Sequence, residues 1–254
     1  MTEILVSARK PRLDDRPVPH RVGLVALATD HTSEVDYARI LAPRGIGVYV
    51  NRIPYANPVT PETLAAMEPG LAKAAALILP DEPLDAVIYG CSSASVVIGD
   101  AAVRAAVQRG KPGVAVVTPI SATLAGLRAM GARRISVLTP YSVATSASTA
   151  QLFDTEGFTV DRFTCLDMDD DRAMARISPD EIVAFARDAM AKTSDALFIS
   201  CTAVRAAGII DQVEAATGAL ALSSNYAVAW NVLRLLKDPG AGAAGHLMTL
   251  PLGE

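Results

Sequence analysis

Two stretches decide the fold of this chain: Asp85–Ser95, DAVIYGCSSAS, and Asp195–Arg205, DALFISCTAVR. Each begins with Asp-Ala, continues through an apolar run and reaches a cysteine six residues after the aspartate, at Cys91 and Cys201. Short, continuously apolar runs are typical of parallel strands that are buried on both faces of a sheet. The repetition therefore predicts two buried strands that end at equivalent thiols.

Similar apolar runs recur along the chain and alternate with helix-length segments. Residues 60–79 have a helix start at Thr60 and Pro61, and a second start of the same kind occurs at Ser178 and Pro179. Strands that alternate with helices predict an α/β architecture with parallel sheets. The predicted strands begin at Arg21, Ile46, Asp85, Gly113, Arg133, Phe158, Asp195 and Gly218.

The order of these segments indicates a diverged internal duplication. Cys201 follows Cys91 by 110 residues, and the run at Arg134 resembles the run at Arg21 with an offset of 113. We therefore expect two pseudo-symmetric, doubly wound α/β halves, each with a parallel four-stranded sheet, and an active site in the cleft between them. The expected divisions are an N-terminal arm (1–19), a first half (20–130) completed by the C-terminal helix (224–237), a second half (131–223) and a C-terminal tail (238–254).

Composition argues against several functional classes. The formal net charge of −4 gives no support for nucleic-acid binding, and no apolar run approaches the ~20 residues of a membrane span. Without a secretory signal at the N-terminus, the expectation is a soluble, cytoplasmic protein with no membrane partner. Three scattered cysteines and three histidines favour neither a disulfide framework nor a metal site, and Cys165 is interpreted as a structural thiol. We expect a homo-oligomer, since symmetric assemblies of one chain are common.

The two repeated thiols are candidates for catalysis. In an open α/β sheet, ligands bind outside the carboxyl ends of the strands, where Cys91 and Cys201 lie. Helices are predicted to follow them, at 93–109 and 203–216, and the positive end of a helix dipole favours thiolate. Across a shared cleft, one thiolate would attack a carbon or take a proton while the opposite thiol supplies one. The neighbouring hydroxyl donors are Ser92, Ser93 and Thr202.

Several motifs carry a resemblance to a known family. They include RVGLVALATDHTSEVDY from Arg21, GCSSAS from Gly90, GLRAMGARRISVLTPY from Gly126, MARISP from Met174 and ISCTAVR from Ile199. With these motifs the chain resembles the aspartate/glutamate racemase superfamily, in the branch of maleate cis–trans isomerases and arylmalonate decarboxylases. The stretches YVNRIPYANPVTPETL and ILPDEPLDAVIYGCSSASVVIGD are similar to members associated with ectoine utilization.

The resemblance implies chemistry without a cofactor or metal on a small carboxylate substrate. Two cysteines act in the isomerases, whereas the decarboxylases keep only the second, and this chain has both. By this match Cys91 is the nucleophile or base and Cys201 the opposing acid or base. The residues that would hold the substrate carboxylate, partly through backbone amides, are Ser92, Ser93, Tyr141, Thr202 and Ala203.

Two positions depart from the isomerase pattern. Where those enzymes tend to have asparagine, the match puts Asp30 and Asp171 here, with Asp169 and Asp170 as alternative registers for the second. An ionised aspartate only accepts hydrogen bonds, so two of them would repel a dicarboxylate. We expect instead a substrate with one carboxylate and an ammonium or amide N–H, such as an amino acid or an acylated diamino acid. His31 is interpreted equally well as a base and as a helix cap.

Other functions stay open at this point. An arylmalonate-type decarboxylase would need only Cys201, and a maleate-type isomerase would use both thiols. A two-lobed protein that binds a small molecule without catalysis has the same architecture. A Cys–His–Asp hydrolase is the weakest alternative, because no spacing links His31 to either cysteine.

Overall fold

A computed structural model of the protein describes residues 2–240 and 242–251. These residues form eight β-strands and eleven α-helices. The strands are β1 (His20–Leu27), β2 (Ile46–Ile53), β3 (Ala86–Tyr89), β4 (Ala115–Val117), β5 (Arg134–Tyr141), β6 (Thr159–Met168), β7 (Ala196–Ile199) and β8 (Leu220–Ser223). The helices are α1 (Ser33–Leu41), α2 (Pro61–Ala65), α3 (Glu68–Ala76), α4 (Ser92–Val97), α5 (Asp100–Gly110), α6 (Pro119–Ala129), α7 (Val143–Thr155), α8 (Asp171–Met174), α9 (Pro179–Ala189), α10 (Ile210–Thr217) and α11 (Ser224–Leu235).

The strands assemble into two parallel sheets with the same internal order. The first sheet has the order β2-β1-β3-β4 and the second has the order β6-β5-β7-β8. Every strand pair in both sheets is parallel. All eight predicted strands form, and the α/β fold with two parallel four-stranded sheets is confirmed.

The aspartate that opens each decisive stretch has a structural role. The Oδ2 atom of Asp85 accepts the backbone N–H of Arg21 at 2.7 Å, at the start of β1. In the second half, Oδ2 of Asp195 accepts the backbone N–H groups of Arg133 and Arg134 at 2.9 and 2.8 Å, at the start of β5. Each carboxylate therefore satisfies backbone donors where the neighbouring central strand begins.

Two predicted helices are each divided. The segment 60–79 breaks between α2 and α3, where Pro69 lies in the first turn of α3. Proline has no N–H and its ring clashes with the carbonyl four residues earlier, so a helix cannot run through it unkinked. The segment 93–109 breaks between α4 and α5 at Gly99, whose φ of 92° leaves the helical region.

The long C-terminal helix α11 brings its first turn to the strand ends. It packs against α1 and α6, and Ser224 and Asn225 at its beginning are buried. The described part of the N-terminal arm is largely exposed, including Ile4, Leu5 and Val6. Met1 of the arm and positions 241 and 252–254 of the predicted tail lie outside the described residues. No helix in the described ranges is long and apolar enough to cross a membrane.

Candidate active site

A small cavity lies at the carboxyl ends of both sheets. It is lined by both repeated thiols and by side chains of the two halves. Eight of the nine residues predicted for the site line it: Asp30, Cys91, Ser93, Tyr141, Asp171, Cys201, Thr202 and Ala203. Leu27, Tyr55, Val59 and Leu64 complete the lining and were not predicted. The structure thus brings the two cysteines to one enclosure.

Cys91 lies where the sequence predicts, at the start of a helix. It is the N-cap residue of α4, in an extended conformation with φ of −147° and ψ of 118°. Its carbonyl accepts the hydroxyl of Ser95 at 2.5 Å and the N–H of Ser95 at 3.2 Å, so α4 begins directly after the thiol. The N–H of Ala94 in this first turn is close enough to the sulfur to lower the thiol pKa.

Cys201 has a different setting, which corrects the prediction of a helix over 203–216. A turn follows the cysteine, a short 3₁₀ helix spans Ala207–Ile209, and α10 begins only at Ile210. Cys201 itself has a φ of 103°, a conformation that costs free energy for a residue with a side chain. Its N–H donates to Ser224 Oγ at 3.1 Å, and the N–H of Ala203 points back at its sulfur at 3.3 Å.

Burial dominates the acidity of both thiols. It raises the pKa of Cys91 to about 12 and that of Cys201 to about 11, because a thiolate loses its hydration inside the protein. The expected effect of a helix start is present at Cys91, where the Ala94 N–H lowers the thiol pKa, but burial has the larger effect. Cys201 has no helix directly after it, and the six-residue α4 does not offset the desolvation at Cys91.

Each of the two carboxylates that line the cavity has one paired and one unpaired oxygen. Asp30 uses Oδ1 to accept the N–H groups of Thr32 and Ser33 at 2.7 and 2.9 Å, which caps α1. Asp171 uses Oδ2 to accept the hydroxyl of Thr29. The other oxygens, Oδ2 of Asp30 and Oδ1 of Asp171, are buried and have no hydrogen-bond partner in the described part of the chain. Such oxygens are expensive to bury unless a ligand donor satisfies them.

The structure also shows which of the three consecutive aspartates, 169–171, lies at the cavity. Asp171 lines the cavity, whereas Asp170 caps α8 and forms an ion pair with Arg172 at 3.1 Å. The carbonyl of Asp169 accepts the N–H of Val59 at 2.8 Å. Only Asp171 of the three acids therefore faces the thiols.

Hydroxyl groups complete the polar lining. The Tyr141 hydroxyl lies beside the Cys201 thiol, an interaction that lowers the thiol pKa. The hydroxyls of Ser93 and Tyr55 are buried. Tyr55 follows β2 in the motif RIPYANP, and an aromatic residue next to proline at a strand end was the available signal for it.

Two candidates from the sequence lie elsewhere. Ser92 does not line the cavity, because its hydroxyl donates to Ser224 Oγ at 2.7 Å behind the site. His31 is exposed and is not part of the lining. The N-cap of α1 is Thr32, and the carboxylate of Asp30 accepts the amides at that end. His31 is therefore neither a base in this cavity nor the helix cap.

The cavity is closed in this form. Its free volume of about 20 Å³ accommodates little more than one water molecule. The loop 54–60, which contributes Tyr55 and Val59, covers it and is tied to the second half. Asn57 Nδ2 donates to Asp170 at 2.7 Å, Asn57 Oδ1 accepts the N–H of Asp171 at 3.3 Å, and the Val59 carbonyl accepts the hydroxyl of Thr145 at 3.0 Å. This space is too small for an organic acid, so binding of one requires the lining to rearrange.

Comparison with known proteins places the chain in a family. Residues 74–248 match the sequence model of the arylmalonate decarboxylase family, and the chain belongs to that family. Maleate isomerase of Nocardia farcinica is 28% identical over 239 residues, which span 90% of this chain and 95% of that enzyme. Maleate isomerase of Pseudomonas putida is 25% identical over 242 residues, which span 88% and 96% of the two chains.

Solved structures agree with this placement. A mutant of Nocardia farcinica maleate cis-trans isomerase with a covalently bound succinylcysteine intermediate matches with a TM-score of 0.83 and 26% identity, covering 91% of this chain and 98% of the other. A mutant of arylmalonate decarboxylase in its liganded form matches with a TM-score of 0.78 and 25% identity, covering 92% and 99%. The resemblance to this branch is confirmed, and together the relatives indicate an isomerase enzyme.

The raised thiol pKa values predict how cysteine labelling depends on pH. Since the folded pKa values of Cys91 and Cys201 lie at about 12 and 11, both thiols are protonated at neutral pH. Labelling by iodoacetamide, which needs thiolate, should rise about tenfold per pH unit from pH 7 to 9 without levelling. Mass spectrometry of the labelled peptides measures this. In the unfolded chain the same peptides should level off near pH ~8.5, and a plateau at that pH in the folded protein would contradict the effect of burial.

Asn57→Ala should open the cavity more often. The change removes the two hydrogen bonds of its side chain to residues 170 and 171. Each bond contributes about 1 kcal/mol, so the loss of both should increase labelling of the two cavity cysteines by about 30-fold. The matched control is Asn51→Ala, which removes a hydrogen bond from β2 to the Ala74 carbonyl in α3 but none from the loop. Equal labelling in both variants would show that the loop does not limit access.

Proposed function

We propose that this chain is a cofactor-independent isomerase or racemase that acts on a carbon next to a carboxylate in a small acid, with Cys91 and Cys201 as its catalytic groups. Support comes from the cavity, where the two thiols that follow corresponding strands of the two halves line one enclosure. The residues two positions after each thiol, Ser93 and Ala203, line the same cavity. Paired thiols suit a reaction that needs an acid or base on each face of one carbon.

The chemistry balances with these two groups alone. In a racemisation, the thiolate of one cysteine takes the α-proton, the electron pair of the C–H bond passes into the carboxylate, and the opposite thiol returns a proton on the other face. In a cis–trans isomerisation, the thiolate adds to one carbon of the double bond and the other carbon takes a proton. Rotation about the resulting single bond, loss of that proton and cleavage of the C–S bond give the trans product. The succinylcysteine in the Nocardia farcinica relative supports the second route.

Preorganised donors would stabilise the charge that develops on the substrate carboxylate. Ser93 presents a buried hydroxyl, and the Tyr141 hydroxyl is adjacent to it and to Cys201. The backbone N–H groups at the start of α4 add donors beside Cys91. Donors that are already oriented lower the barrier more than donors that must reorganise, which accounts for an enclosed polar site.

The two unpaired carboxylate oxygens favour a substrate with hydrogen-bond donors. Asp30 Oδ2 and Asp171 Oδ1 would accept from an ammonium or amide N–H, as in an amino acid or an acylated diamino acid. The sequence resemblance to ectoine-associated proteins supports the same substrate class. A maleate-type dicarboxylate is the second candidate, supported by the isomerase relatives, and it would require the two acids to be protonated so that they donate. Arylmalonate-type decarboxylation is the third and would need Cys201 alone.

Proton exchange with solvent tests the reaction class. Incubation in D₂O with a panel of amino acids, N-acylated diamino acids, maleate and arylmalonates should show deuterium at the α-carbon or a change of isomer, by NMR. Cys91→Ala and Cys201→Ala should each reduce turnover by about 10³-fold or more, whereas Cys165→Ala, outside the cavity, should leave it unchanged. Retained turnover in Cys91→Ala with release of CO₂ would assign decarboxylation instead.

The substrate charge is tested at the acids. Asp30→Asn and Asp171→Asn replace one cavity oxygen each by an amide donor of the same size. We expect each change to raise KM for a substrate with an ammonium group by about tenfold or more, and to improve any activity on maleate. The control is Asp169→Asn, whose exposed side chain does not line the cavity. Unchanged kinetics across the panel in both cavity variants would contradict the role of the acids.

A further inference from the structure

A buried asparagine lies behind Cys201 and has no part in the site described so far. Asn225, in the first turn of α11, is 1% exposed. Its Nδ2 donates to the carbonyl of Thr202 at 2.9 Å and to Oδ2 of Asp36 at 2.9 Å. Its Oδ1 accepts the hydroxyl of Tyr37 at 3.2 Å. Three partners from two different elements therefore fix the orientation of this side chain.

The carbonyl of Thr202 belongs to the same peptide group as the N–H of Ala203. That N–H is the group that points at the sulfur of Cys201 at 3.3 Å. Because a peptide group is planar and rigid, holding its carbonyl on one side fixes the direction of its N–H on the other. We propose that Asn225 is a positioning residue that aims the Ala203 amide at the Cys201 sulfur by holding the opposite end of that peptide group.

The backbone around Cys201 needs such support. Its φ of 103° is unfavourable for a residue with a side chain, and such conformations persist where the surroundings over-determine them. Ser224 accepts the N–H of Cys201 at 3.1 Å, and the hydroxyl of Thr32 donates to the carbonyl of Ala203 at 2.6 Å. Of these three side chains, Asn225 is the one that holds the peptide group between Thr202 and Ala203, whose N–H points at the sulfur.

The chemical consequence concerns the thiolate of Cys201. An amide N–H that donates to sulfur stabilises the charged form, and the Ala203 amide lowers the pKa of Cys201 against the larger effect of burial. Asp36 completes the support, since its carboxylate accepts the second hydrogen of Asn225 Nδ2 and so leaves the first directed at Thr202. The role rests on the proposed function only in that Cys201 reacts with the substrate.

Relative labelling of the two cavity cysteines tests the role. Cys91 and Cys201 share one enclosure, so the ratio of their iodoacetamide labelling at pH 8 cancels the frequency of opening. Asn225→Asp keeps the shape of the side chain but removes both donor hydrogens. The Cys201-to-Cys91 ratio should fall by about tenfold, the change expected for one pKa unit. In Tyr37→Phe, which removes only the contact to Oδ1, the ratio should stay within about twofold of wild type.

A double variant separates positioning from stability. Asp36→Asn combined with Asn225→Asp restores a hydrogen bond between these two side chains but not the bond to the Thr202 carbonyl. We expect thermal stability to recover toward wild type while the labelling ratio stays about tenfold low. A ratio within about twofold of wild type in this double variant would overturn the positioning role, whether or not Asn225→Asp folds.

The outcomes distinguish this role from the proposed function. If the wild type turns over no acid of the panel, the proposed function fails while the labelling ratio still decides the role of Asn225. If turnover requires both cysteines but the ratio does not respond, the positioning role fails alone. If both hold, the double variant should lose kcat by about tenfold with little change in KM, because the substrate contacts are intact.

Discussion

The site depends on hydrogen bonds that cross between the carboxyl ends of the two sheets. The hydroxyl of Thr202, next to one cysteine, donates to the carbonyl of Gly90, which precedes the other, at 3.0 Å. Ser224 Oγ accepts both the N–H of Cys201 and the hydroxyl of Ser92, the neighbour of Cys91. The position of one thiol relative to the other is thus set by short, buried contacts and not by the packing of distant helices. A change at these contacts displaces both thiols together, which is costly where reacting atoms must meet within fractions of an ångström.

Enclosure has opposite effects on the resting protein and on the complex with a substrate. In the closed form it strips water from both thiols and raises their pKa values, which lowers the fraction of reactive thiolate. The same exclusion of water strengthens every electrostatic interaction with a bound anion, because the local dielectric is low. The loop that carries Tyr55 and Asn57 connects these states, since its hydrogen bonds reach the backbone and side chains of residues 169–171. The backbone of Asp171 is therefore held by the same loop that contributes Tyr55 and Val59 to the lining.

Local patterns in the sequence are sufficient to predict the strands, their parallel direction and the two thiols at the strand ends. Apolar runs and the repeated Asp-Ala motif are sufficient because burial on both faces leaves few alternatives to a central parallel strand. Helix boundaries were less accurate, since Pro69 and Gly99 interrupt patterns that are otherwise continuous. Tyr55, Ser224 and Asn225 depend on contacts between segments far apart in the chain, such as the bond from Asn225 to Asp36, 189 residues away. No periodicity in the sequence indicates such contacts. The orientation of Ser92 could not be predicted for the same reason, since its hydroxyl turns away from the cavity to donate to Ser224.

The two sheets have the same strand order, yet the thiols that follow them are not chemically equivalent. Cys91 is the cap of a helix and its sulfur meets the amide of Ala94. Cys201 has a left-handed backbone conformation and is followed by a turn, and its sulfur meets the amides of Ala203 and Val204 and the Tyr141 hydroxyl. A two-thiol reaction needs one sulfur charged and one protonated at the start, so identical environments would populate both assignments equally. Unequal sets of hydrogen-bond donors favour one cysteine as the thiolate and the other as the thiol. Which face of the substrate loses a proton and which gains one then depends on which face meets each cysteine.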